Sequence, residues 1–99
     1  MKLYRGGGDL PERGPAWFTS ARIFAGTYGP VGEYELDLDR SLEVSLEEWQ
    51  NNFTDLYVRL KPEGVDRLVS RGYTSARCRV KEHLFVFVPD VEKVKVAAL

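Results

Sequence analysis

The chain has 99 residues, 43% of them apolar, and a formal net charge of −1 from 14 basic and 15 acidic side chains. That length and apolar share predict one domain, residues 1–99, with a single core that needs no covalent staples. The charge balance leaves no overall basic field to gather nucleic acid; the single cysteine, Cys78, excludes an internal disulfide framework and a cysteine-built zinc site; and no stretch approaches the roughly 20 apolar residues of a membrane-spanning helix.

In chain order, Met1 to Tyr4 reads as a short strand, ended by Gly6, Gly7 and Gly8. Asp9 to Pro15 is a turn region with two prolines and Gly14. Ala16 to Thr19 reads as extended, which sends the neighbours Trp17 and Phe18 to opposite faces. Ser20 is a candidate N-cap for a helix from Ala21 to Tyr28, with Ile23, Phe24 and Tyr28 on one side and Gly29-Pro30 as its stop. "EYELDLD", Glu33 to Asp39, gives the clearest strand: Tyr34, Leu36 and Leu38 face one way and four carboxylates the other, an ordinary solvated side.

Ser45 with Glu48 forms a capping box ahead of a helical stripe of Leu46, Trp49 and Phe53. "TDLYVRL" reads as a short strand. "KPEGVDRLVSRGY" reads as a helix with Pro62 in its first turn, Gly72 as its stop, and Val65, Leu68 and Val69 buried. "TSARCRV" alternates Ala76, Cys78 and Val80 with cations. "LFVFV" is apolar on both faces, as a central strand is, and after Pro89-Asp90 "VEKVKV" gives a last strand. About six strands and two or three short helices make the class α+β.

Two stretches carry chemistry. Arg5 adjoins three glycines: a planar guanidinium suits paired phosphate oxygens, and bare backbone lets a ligand approach. A strand-end charge beside a plain turn reads the same way. "WFTS", Trp17 to Ser20, offers flat rings and hydroxyls, although rings also fill cores and Ser20 also caps helices.

"LYRGG", "AWFTS", a short helix ending in "YG", "EYELDLD" and "RGYTSARC…HLFVFVPDVEKVKV" follow one another in an order that resembles the small ADP-ribosyltransferase-like domains of phages and bacteria. The resemblance covers most of the chain outside residues 42–60 and rests on order and spacing, because each motif is short. It implies a split pair of small mixed or antiparallel sheets with NAD, as substrate, in the cleft between them. It also implies that Arg5 and Gly6 meet the dinucleotide, and that Trp17, Phe18, Thr19 and Ser20 lie at its nicotinamide end. Tyr28 would stack there or pack at the rim.

The family's catalytic glutamate would open the strand before the Pro-Asp turn. Here that position holds His83, and Glu82 comes one residue early. A one-residue shift turns a strand side chain to the other face, so Glu82 serves only where the strand start is irregular. His83, the one histidine, suits acid–base work or ribose hydrogen bonding, or is a turn residue. The implied reaction transfers ADP-ribose from NAD to a macromolecular target, a protein before a nucleic acid, releasing nicotinamide without a metal. The alternative is a catalytically degenerate binding protein of the same fold, for instance a phage-encoded inhibitor of a host defence complex. The first residues carry no apolar secretory run and the cysteine is single, so a cytoplasmic setting without membrane contact is expected.

Overall fold

The apolar run at residues 84–88 marks a strand in the interior of the sheet. Leu84, Val86 and Val88 are buried on one side and Phe87 on the other, and a strand apolar on both faces requires cover on both. The computed structural model describes residues 1–53 and 61–99. Its strands are β1 (Lys2–Gly6), β2 (Ala16–Thr19), β3 (Val31–Leu36), β4 (Ser41–Val44), β5 (Ser75–Val80), β6 (His83–Val88) and β7 (Val96–Ala98). Its helices are α1 (Arg22–Gly26), α2 (Leu46–Glu48, continued by a π-helical turn, Trp49–Phe53) and α3 (Pro62–Ser70). The strands form one sheet in the order β4-β5-β6-β2-β1-β3-β7. Only β4 and β5 run parallel; every other neighbouring pair is antiparallel. The architecture is α+β with a mixed sheet. Among the described residues no helix is long and apolar enough to cross a membrane.

Two apolar clusters lie on opposite faces of this sheet. One joins Leu3, Phe18, Tyr34, Leu36, Leu84 and Val86, and is closed over by Val91 and Val94. The other joins Ala76, Cys78 and Phe87 to Trp49 of the π turn and Leu68 of α3. The helices therefore cover the face that "SARCRV" and Phe87 present. Gly64 makes this cover close: a Cβ there would stand 1.7 Å from the carbonyl oxygen of Asn52, so α3 lies directly against the π turn.

Several elements differ from the sequence expectation. In place of a split pair of sheets there is one hydrogen-bonded sheet, narrowed at the β1–β2 seam to a single pair, Tyr4 with Thr19. β1 runs on through Arg5 and Gly6, because five pairs with β3 hold it extended. β4 has no counterpart in the sequence reading; it is short and gains its order from its parallel ladder with β5. Residues Val91–Lys93 form a 3₁₀ turn, started by the Asp90 carboxylate accepting the Glu92 N–H at 3.1 Å, so the last strand begins at Val96. Val69 is exposed, leaving Val65 and Leu68 as the inward side of α3. The stretch 54–60, read as a short strand, lies outside the described residues.

Candidate functional site

β1 and β2 are neighbours that part company. Continued antiparallel register would pair Arg5 with Phe18 and Gly6 with Trp17, yet pairing stops at Tyr4–Thr19. Each strand instead follows the partner with which it shares the longer ladder, β3 for β1 and β6 for β2. All four residues that would have paired border a cleft of about 530 Å³ in the wedge that opens. That volume falls within the range of roughly 300–1,000 Å³ in which small-molecule sites occur.

The walls are rings. Trp17 lies 4.4 Å from Phe87 and meets Trp49 edge-on at 5.8 Å. Phe24 meets Phe85 edge-on at 5.1 Å and Tyr28 at 5.6 Å. Cys78 and Val80 of β5 also line the cleft. Cys78 is buried, and burial pushes its thiol pKa up, so it stays protonated and unreactive at neutral pH.

Arg5 is the one charged side chain in the lining among the described residues. Its Nε is buried and has no hydrogen-bond partner among them. A buried, unpaired guanidinium nitrogen is costly, and an anionic or carbonyl acceptor in the cleft would relieve it. The glycines after it have a different cause. A Cβ on Gly6 would stand 1.7 Å from the Ala25 carbonyl oxygen of α1. Gly7, at φ 99°, has its backbone against that of Gly29. Gly6 and Gly7 are therefore explained by α1 and the following turn lying against β1, and both also border the cleft.

The remaining expected site residues separate. Trp17, Thr19 and Tyr28 line the cleft, with Tyr28 half-exposed at the rim after α1 has ended. Phe18 borders it but is buried on the opposite face, in the cluster with Leu3. The Thr19 hydroxyl accepts the Ala21 N–H at 3.1 Å. Ser20 is absent from the lining, and it does not cap α1, whose N-cap is Ala21. Its hydroxyl accepts the Leu84 N–H at 2.7 Å and its own N–H donates to the Leu84 carbonyl, fastening the end of β2 to β6.

Glu82 and His83 are also outside the lining. Val80 pairs with His83, so Lys81 and Glu82 are the two-residue loop of the β5–β6 hairpin, with Lys81 at φ 56°. Turn geometry rather than strand alternation aims Glu82, whose side chain is 86% exposed and 3.8 Å from the His83 ring, itself 47% exposed. By alternation along β6, His83 falls on the side of Phe85, which lines the cleft. Among the described residues no carboxylate lines the cleft.

Sequence reasoning missed Tyr4, Phe24, Trp49, Gln50 and Phe85 as lining residues. Trp49 and Phe24 were visible as members of apolar stripes, and such stripes read as core. Gln50 carried no signal of its own; a wide π-helical turn brings it to the cleft beside Trp49. Compared with family models, curated proteins and solved structures, the chain matches none, so the functional reading rests on this cleft and its chemistry.

Proposed function

We propose that the chain binds NAD in the β1–β2 cleft, as an ADP-ribosyltransferase-like protein. The observation that carries the reading is the wedge itself. It joins a buried, unpartnered guanidinium nitrogen of Arg5, bare backbone at Gly6 and Gly7, and ring walls from Trp17, Phe24, Tyr28 and Phe85 in one cavity. A dinucleotide has the matching parts, two flat ring systems and a pyrophosphate. Arg5 would meet phosphate oxygens, and the rings would sandwich nicotinamide or adenine.

Two activities fit such a site. In one, ADP-ribose passes to a macromolecular target, a protein by preference, and nicotinamide leaves; Glu82 would face the positive charge that grows on the ribose, or His83 would hydrogen-bond a ribose hydroxyl, each reaching in from outside the lining. In the other, the domain binds NAD or a protein partner without turnover, as an inhibitor of a host defence complex would.

Thermal melting with and without NAD, alongside an assay for free nicotinamide, tests both. NAD raises the melting temperature of the wild type and not of Arg5→Ala. Nicotinamide release that disappears in Glu82→Gln or His83→Ala supports the enzyme, and NAD-dependent stabilisation with no release, even with a cell extract supplying acceptors, supports the binder. If NAD fails to shift wild-type melting, the cleft is not a dinucleotide site.

A further inference from the structure

We infer that Gln50 selects the ligand of this cleft, by offering the paired donor and acceptor of its side-chain amide to the neutral hydrogen-bonding edge of a planar ring. The inference rests on the dinucleotide reading and deepens it.

The polar inventory of the lining supports it. Arg5 is a cation suited to phosphate, the Thr19 hydroxyl already accepts the Ala21 N–H, and Tyr4 and Tyr28 each offer a single hydroxyl rather than a paired donor and acceptor in one plane. Gln50 is the one side-chain amide in the lining among the described residues. An amide presents a donor and an acceptor in one plane, the complement of a carboxamide or of an amino group beside a ring nitrogen.

The backbone that carries Gln50 is anchored. The Lys61 ammonium donates to the Gln50 carbonyl at 2.6 Å and to the Asn51 carbonyl at 3.1 Å. α3 packs on Asn52, two residues on, through Gly64. Gln50 also adjoins Trp49, which meets Trp17 in the ring wall, and all three residues line the cleft. Turns of π-helical form recur at functional sites because they re-aim neighbouring side chains.

Two parts of NAD carry such an edge, the nicotinamide carboxamide and the adenine amino–N1 edge. The experiment tells them apart. Trp17 and Trp49 are the two tryptophans of the chain and both line the cleft, so intrinsic fluorescence reports binding directly. Wild type, Gln50→Ala, Gln50→Glu and Arg5→Ala are titrated with NAD, with its nicotinic-acid analogue and with its hypoxanthine analogue.

Wild type is expected to bind one analogue about tenfold more weakly than NAD, and that analogue identifies the edge. Gln50→Ala should weaken NAD by about tenfold and abolish the preference, and Gln50→Glu, an isostere without the amide donor, should weaken NAD too while its carboxylate disfavours the nicotinic-acid analogue further if the carboxamide is the edge. Arg5→Ala should weaken all three ligands together and keep the preference. A Gln50→Ala protein with unchanged NAD affinity and unchanged preference overturns this inference while leaving the dinucleotide reading standing. Wild type that binds none of the three overturns both.

Discussion

Substituting Gly6 by alanine separates a packing glycine from a ligand glycine. The added Cβ would lie 1.7 Å from the Ala25 carbonyl oxygen and 2.7 Å from its carbon. Tolerated carbon–oxygen contacts begin near 3.3 Å, so α1 would have to retreat by about 1.6 Å. Gly6 is not in the left-handed region, so the cost is steric rather than conformational. Overpacking costs about 1–3 kcal/mol, and because the obstacle is helix backbone rather than a flexible side chain, we expect about 3 kcal/mol. For a domain of this size that lowers the melting temperature by about 12–24 °C.

The control is Gly8→Ala. Gly8 has φ 104° but nothing within 4 Å of its missing Cβ, so it carries only the conformational term of about 1–2 kcal/mol. Differential scanning calorimetry of the two variants, without ligand, gives the comparison. Gly6→Ala melting close to wild type, or above Gly8→Ala, refutes the claim that α1 packing requires this glycine.

Three further outcomes follow from the same contacts. The Asp90 carboxylate is held below the ordinary aspartate range, chiefly by the Gly14 N–H and then by that of Glu92. A lowered native pKa favours the folded state fully above the ordinary value, and the benefit drains away as pH falls through the native one. Asp90→Asn, which keeps an acceptor and loses the charge, should therefore melt below wild type at neutral pH by a margin that closes in acid; parallel melting-versus-pH curves contradict this. Ser20→Ala removes the acceptor of the Leu84 N–H and should cost about 1 kcal/mol in urea unfolding with dinucleotide affinity unchanged; lost affinity at full stability would make Ser20 a ligand contact instead. Cys78 should react with iodoacetamide slowly in native protein and readily once unfolded, and fast native labelling would show the cleft floor to be open.

How far the site was legible in the sequence follows from the range of the forces involved. Alternation and short-range capping were readable. The run at residues 84–88 announced a doubly covered strand, and the Ser45 hydroxyl does accept the Glu48 N–H, at 3.2 Å. Opposite faces for Trp17 and Phe18 follow from extended backbone alone, and the two rings do belong to different clusters. Ser20 was misread for the same reason of range. A serine before an apolar helical pattern looks like a cap, but a backbone N–H sixty-four residues away claims its hydroxyl first.

The sequence by itself determined the α+β class, the two-faced central strand and the aromatic stock of residues 16–28, because these depend on periodicity and on neighbours along the chain. Only the tertiary structure decided that β1 and β2 would meet at one pair and then part, that Gly6 would make room for a helix, and that Gln50 would line the same cleft as the rings. Those outcomes turn on which strand holds the longer ladder and how closely one backbone passes another. Such distances are set by contacts remote in sequence, and no local pattern encodes them.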